Sequence, residues 1–194
     1  MSLREYTRFL GEFVSKPGVV GAVSPSSHSL GRKMVEWIDW PNVRTVVEYG
    51  PGTGAITEHI LAQMRPGTTF LAIEINPSFV ESLRIRYPDV RVHQESVTNV
   101  RAICRGEGID EVDAVVSGLP WASFSDDDQS AYLNAMMTVL RPGGRFATFA
   151  YLQGLLLPAG RRFKRKLRQY FSQIELSRTA WRNLPPAFVY RCCR

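Results

Sequence analysis

The sequence predicts an α/β protein built on a doubly wound sheet, and three observations predict it. From Val43 onward, apolar strand-like runs alternate with helical patterns, the arrangement of βαβ units in a parallel sheet covered on both faces. The first run, Val46-Val47-Glu48-Tyr49, passes into Gly50-Pro51-Gly52-Thr53-Gly54, with glycines at alternate positions, and a helical pattern (Ile56, His59, Ile60, Gln63) follows at once. Glu74 closes the second run, twenty residues after Gly54. Alternating glycines let the chain turn tightly and let a ligand approach where a Cβ would collide. The helix that follows directs free N–H groups into the crevice. An acid at the end of the second strand is placed to accept both hydroxyls of a ribose. Together these features read as a nucleotide-type cofactor site.

The elements follow in order. Leu3, Tyr6, Phe9, Leu10 and Phe13 share one face of a helix over 2–14, opposite Arg4, Glu5, Arg8 and Glu12, and Pro17-Gly18 ends it. Ser26 or Ser27 is placed to cap a helix through about Trp37. Strands are predicted at 43–48, 68–74, 90–94, 112–117 and 144–150. Helices are predicted at 54–64, 77–86 and 126–139, with a shorter one near 97–104. Asp126, Asp127 and Asp128 suit the first turn of their helix, where the dipole favours anions. Arg141-Pro142-Gly143-Gly144 reads as a turn into the fifth strand. A basic helix follows Pro158, and two last strands near 171–179 and 187–193 are joined by Asn183-Leu184-Pro185-Pro186. The organisation expected is a helical segment over 1–40, as a lid or membrane contact, and one compact domain over 41–194.

A chain of 194 residues, 44% hydrophobic and 22% charged, is long enough for one good core and has an ordinary globular composition. No run approaches the ~18 apolar residues of a membrane span, and Met1 to Phe13 lacks a signal-peptide core. Cys104, Cys192 and Cys193 are few and without zinc spacing, which suits a reducing cytoplasm. His28, His59 and His93 are not spaced as a metal site, and no metal is expected. The net charge of +6 equals the six cations of Arg161–Arg168, a run with no acid. Such a run is either a solvated helix face or a contact for an anionic surface, lipid headgroups or nucleic acid.

Glu48-x-Gly50-x-Gly52-x-Gly54 resembles motif I of the Rossmann-like S-adenosylmethionine methyltransferases, whereas NAD-binding chains usually show G-x-G-x-x-G. The resemblance continues in family order. Glu74 resembles the ribose-binding acid, and Glu95 the acid that meets the adenine amine. Ser117-Gly118-Leu119-Pro120-Trp121 resembles motif IV, and Arg141-Pro142-Gly143-Gly144 the turn before strand five. This resemblance implies a sheet of about seven strands, mostly parallel with an antiparallel last strand, and S-adenosylmethionine as cofactor. The cofactor-binding residues it implies are Glu48, Tyr49, Gly50, Gly52, Gly54, Glu74, Ile75, Glu95, Ser96 and Ser117.

Motif IV is similar to the N-L-P-Y loop of amino methyltransferases, including the rRNA adenine dimethylases, but Gly118 stands where the asparagine would be. The backbone carbonyl remains and the side-chain acceptor does not. Val20–Ser27, the S-G-L-P-W loop and Trp181–Ala187 together resemble the bacterial phospholipid N-methyltransferases, which convert phosphatidylethanolamine to phosphatidylcholine. The catalytic region expected comprises Ser117, Gly118 and Leu119 of that loop, with Trp121 and Tyr151 lining an amine pocket and Tyr6 closing it from the N-terminal helix. Arg161, Arg162, Lys164, Arg165, Arg178 and Arg182 would meet phosphate and the membrane. The expected setting is cytoplasmic, peripheral on the inner face of the membrane, with anionic lipid and no protein partner. Three rivals stand beside it: an RNA adenine N6-methyltransferase, a small-molecule amine methyltransferase, and a cofactor-binding module without catalysis.

Overall fold

The computed structural model describes residues 27–156 and 158–194. In chain order these form α1 (Ser27–Val35), β1 (Thr45–Tyr49), α2 (Thr57–Gln63), β2 (Thr69–Glu74), α3 (Pro77–Arg86), β3 (Arg91–Gln94), α4 (Val100–Gly106), β4 (Val112–Ser117), α5 (Asp126–Met137), β5 (Leu140–Tyr151), α6 (Pro158–Tyr170), β6 (Gln173–Leu176) and β7 (Ala187–Cys193). Short 3-10 turns stand at Trp40–Asn42, Val97–Asn99, Trp121–Ser123 and Leu152–Leu156. The proposed helix over 2–14, with Tyr6, lies outside the described residues.

The strands form one seven-stranded sheet in the order β3-β2-β1-β4-β5-β7-β6. The pairs from β3 to β5 are parallel, and β7 runs antiparallel to both β5 and β6. This is the predicted doubly wound, mixed sheet. Successive side chains of a strand point to opposite faces, and the sequence uses both. Val47, Tyr49, Leu71, Ile73 and Val115 enter a core with α4, α5 and α6. Val46, Ala72, Ala114 and Val116 enter a second core with α1, α2 and α3. The unbroken apolar runs of β1 and β4 follow from that double burial. Strand order reverses between β1 and β4, and a crevice opens at such a point.

Two strands, β5 and β6, depart most from their predicted bounds. Arg141-Pro142-Gly143-Gly144 lies within β5 rather than in a turn before it. The Gly143 amide donates to the Arg194 carbonyl at 2.9 Å, and the Arg194 amide to the Gly144 carbonyl at 3.0 Å, so the chain end pairs across this stretch. β6 is shorter than 171–179. Beyond it the Ser177 hydroxyl, rather than only backbone, accepts from the Val189 amide at 3.0 Å and interrupts the ladder.

The bottom of the sheet is tied by Asp113. Its Oδ2 accepts from the Arg44 and Thr45 amides at 2.8 and 2.9 Å, and its Oδ1 from Arg141 Nε at 2.5 Å. One carboxylate thus joins β1, β4 and β5. Burial works against its charge, yet the Arg141 bond and the two amide bonds outweigh burial and hold its pKa below the usual aspartate value. A depressed pKa gives stability that is present above the unfolded-state pKa and lost as pH falls through the folded one. Asp113→Asn should therefore cost roughly 1–3 kcal/mol at neutral pH. Urea melts of the two proteins should converge as the pH is lowered into the acid range.

Candidate functional site

The glycine turn leaves β1 at the reversal point. Gly50, Gly52 and Gly54 all have positive φ, at 63°, 55° and 83°. Two of them are also places of close approach. A Cβ on Gly50 would lie 2.5 Å from Leu119 Cδ2, and one on Gly54 would lie 2.7 Å from Tyr87 Cε2. A Cβ on Gly52 would meet nothing within 4 Å, so that turn faces open space.

Acids flank this space. Glu48 is wholly buried, and its Oε2 accepts from the Thr57 hydroxyl at 2.7 Å. Its Oε1 is buried with no partner. Burial, opposed by the Thr57 bond and aided by the Glu74 charge, raises the pKa from 4.5 to about 8. At the end of β2, Glu74 accepts from the Gly52 amide at 3.1 Å and from the Ile75 and Asn76 amides at 2.9 Å each. Burial raises its pKa against those amide bonds. Ile75 thus meets the acid through its backbone. Glu95 follows β3, where its amide donates to the Glu74 carbonyl at 3.1 Å. Its exposed carboxylate accepts from the Ser96 amide, and Ser96 caps the next turn. The Tyr49 ring is fully buried in the core beside α4 to α6, so its backbone is what borders the turn.

The loop after β4 closes the other side. The Gly118 amide donates to the Tyr49 carbonyl at 2.8 Å. A Cβ on Gly118 would lie 2.6 Å from the Gly50 carbonyl oxygen, so an asparagine does not fit there without moving backbone. In this chain the loss of the N-L-P-Y amide thereby goes with the close packing of Gly118 on Gly50. Ser117 is turned inward: its Oγ accepts from Trp121 Nε1 at 3.0 Å and from the Leu119 amide at 3.3 Å. The Ser117 carbonyl accepts from the Thr148 hydroxyl at 3.2 Å. Both Ser117 groups brace the loop, and neither is a free acceptor for an amine. Trp121 is only 2% exposed and stacks on Phe163 at 5.1 Å between ring centroids. It is a wall of the site rather than a mobile lid over it.

Beside this loop lies a cavity of about 250 Å³. Gly118, Pro120, Trp121, Phe149, Tyr151 and Phe163 are among its lining residues, which are mostly apolar. Gly118 belongs both to this cavity and to the contact with Gly50, so cavity and glycine turn adjoin. Burial pushes the Tyr151 phenol up to about 12, which keeps it protonated. Sequence reasoning missed several supports. Thr57 braces Glu48. Buried Gln129 donates to the Trp121 carbonyl at 2.7 Å. Phe149 and Phe163 form cavity walls. Thr57 and Gln129 carry no motif, and only their contacts across the fold reveal them.

The basic run divides. Lys166 is buried and donates to the Asp126 carbonyl and to the Ser130 hydroxyl, with the Asp126 carboxylate 2.7 Å away. It locks α6 onto α5. Arg161, Arg162, Arg165 and Arg168 are exposed, and Lys164 is half-buried. Arg178 and Arg182 are exposed on the loop between β6 and β7.

Glu48 yields a prediction. A raised folded-state pKa gives stability that is present at low pH and lost as pH rises through the folded value. Thermal melts of the ligand-free protein should show it weakening relative to Glu48→Gln between pH 4.5 and about 8. Parallel curves over that window would contradict the assignment.

Residues 46–144 match the family model described as a methyltransferase domain. The chain is 32% identical over 193 residues to an ornithine lipid N-methyltransferase of Singulisphaera acidiphila, covering 98% of this chain and 96% of that one. Its fold is similar to 1,6-didemethyltoxoflavin-N1-methyltransferase of Burkholderia thailandensis, solved with S-adenosylhomocysteine, at 16% identity and a TM-score of 0.71, covering 100% of this chain and 91% of that one. The O-methyltransferase TomG of Streptomyces achromogenes, solved with S-adenosylmethionine, gives a TM-score of 0.66 at 16% identity over the same shares. The site fits that cofactor: the partnerless buried oxygen of Glu48 suits an ammonium, Glu74 suits ribose hydroxyls, and the open side of Gly52 admits close approach. The chain belongs to the S-adenosylmethionine-dependent methyltransferases.

Proposed function

We propose that the protein methylates the amine of a membrane lipid at the bilayer surface. The observation that carries this reading is the apolar, aromatic-walled cavity sharing Gly118 with the cofactor turn. S-adenosylmethionine supplies an electrophilic methyl group on sulfur. This chain's residues position the acceptor and keep water away, and positioning provides most of the rate in such a displacement. The acceptor must arrive as a neutral amine, and with a lysine-like pKa only roughly one in a few thousand is neutral at pH 7. An apolar cavity lowers that pKa by disfavouring the ammonium. The Gly118 carbonyl and the protonated Tyr151 hydroxyl are the polar groups we assign to orienting the nitrogen. Aromatic faces at Trp121, Phe149 and Phe163 tolerate the methylated, cationic product.

The surface around the cavity suits a bilayer. Ala187, at the start of β7, pairs with Tyr151, a cavity residue, so the β6–β7 loop emerges at the same edge of the sheet. That loop carries Trp181 and Leu184, 69% and 64% exposed. Arg178 and Arg182 flank Trp181, and the exposed arginines of α6 add further charge. An apolar pair set among cations enters a headgroup layer readily, and each well-placed cation adds about 1 kcal/mol on anionic lipid. No helix among the described residues is long and apolar enough to cross a membrane. A peripheral position on the cytoplasmic face is part of this proposal, and the exposed Trp181, Leu184 and neighbouring arginines support the membrane contact. Phosphatidylethanolamine is the headgroup we favour from the S-G-L-P-W and Trp181–Ala187 motifs. Ornithine lipid is the second reading, favoured by the Singulisphaera relative.

The test is radiolabelled S-adenosylmethionine with anionic vesicles containing either lipid, followed by lipid extraction. Label is expected in an amine headgroup, and the lipid that takes it identifies the substrate. Trp181→Ser with Leu184→Ser should lose most of that label while binding cofactor normally. Label in neither lipid, with cofactor bound, would overturn the proposal. Label in added RNA would establish an adenine methyltransferase instead.

A further inference from the structure

α1 packs against α2 through two histidines that sit 31 positions apart in sequence. His28 and His59 meet edge to face, with ring centroids 4.4 Å apart. Glu58 completes the group: its Oε1 lies 3.7 Å from His59 Nε2. One possible donor atom from each of the three residues lies within 4.8 Å of the other two.

Two details make this more than a packing contact. His59 is 8% exposed, and its Nε2 is buried with no hydrogen-bond partner. A buried polar atom without a partner is unfavourable, and such atoms are few in native proteins. The 3.7 Å separation from Glu58 is too long for a hydrogen bond. The second detail is Gly31. A Cβ there would lie 2.1 Å from His59 Cδ2, so the glycine makes the room in which the imidazole sits. Glu58 is already oriented, because Arg86 Nη2 holds its Oε2 at 3.2 Å and leaves Oε1 facing the histidine.

We propose that His28, Glu58 and His59 form a binding site for a divalent ion of the zinc class, which clips α1 to α2. Two imidazole nitrogens and one carboxylate oxygen are a donor set for zinc rather than for magnesium or calcium, which prefer oxygen alone. Metal–donor bonds of about 2.0–2.1 Å place tetrahedral donors about 3.4 Å apart. Glu58 Oε1 and His59 Nε2 need only close by a few tenths of an ångström. His28 is exposed, and a donor atom of its ring already lies within 4.8 Å of those of the other two residues. Three protein donors leave the fourth position to water. The ion occupies the atom that has no partner, which is why the buried imidazole is tolerated. The clip joins α1 to the helix that carries Thr57, the brace of Glu48, without touching the reacting groups.

The test uses the full-length chain, free of any affinity tag and stripped with chelator. Zn2+ is titrated calorimetrically, and Co2+ is added as a spectroscopic probe. One Zn2+ per chain is expected, with the intense visible bands of tetrahedral Co2+ and a higher melting temperature in Zn2+. His28→Gln, at an exposed position, keeps the fold. It should weaken Zn2+ by at least the roughly tenfold that losing even an outer partner costs a metal site, and should cancel the thermal shift. His59→Gln should do the same, while Cys193→Ser should leave binding unchanged. Magnesium should give no heat at the same concentration. Absence of Zn2+ binding in the parent chain would overturn the proposal, as would binding that survives His28→Gln or follows Cys193.

Discussion

The contact between Gly50 and Gly118 is the constraint on which the site depends. Here the ends of β1 and β4 come so close that the Gly118 Cα stands against the Gly50 carbonyl with no room for a side-chain atom. Everything functional is referenced to that contact. It fixes the glycine turn on one side, with Glu48 and Glu74 beneath and beside it. It fixes the S-G-L-P-W loop on the other, with Leu119 over Gly50 and Trp121 anchored through Ser117 and Gln129. Separating the two backbones by one methyl group would move the cofactor turn away from the cavity that must face it. Transfer by direct displacement tolerates little such misplacement.

The same constraint shapes the chemistry. A family loop that places an asparagine at position 118 brings a side-chain acceptor to the amine. This chain cannot carry one without shifting the turn, so in the function we propose recognition passes to a backbone carbonyl, a phenol and aromatic walls. Those groups favour an amine that arrives in an apolar setting and leaves with more methyl groups. The buried Lys166 makes a related point about charge. One cation of the basic run serves the fold by joining α6 to α5, and the exposed arginines are the ones available to an anionic surface.

The parallel strands, the glycine turn and its acids were legible in the sequence because each is a local pattern. Apolar runs report burial on both faces, and alternate glycines report a turn. Adjacency to Glu48 says nothing about which face the Tyr49 side chain takes. Alternation turns it into the core. Arg141-Pro142-Gly143-Gly144 misled because its turn chemistry is overridden by pairing with Arg194, a partner at the far end of the chain. Thr57, Gln129 and the His28–His59 pair were invisible for the same reason. Their roles come from contacts between elements remote in sequence, and no spacing rule encodes them.

The most direct measurement is a crystal structure with S-adenosylhomocysteine and a short-chain phosphatidylethanolamine or ornithine lipid. The lipid amine is expected inside the cavity, bounded by Trp121 and Phe149 and hydrogen-bonded to the Gly118 carbonyl or the Tyr151 hydroxyl. The acyl chains are expected to leave toward Trp181 and Leu184. An amine bound elsewhere, with cofactor in place and the cavity filled by other groups, would contradict this placement.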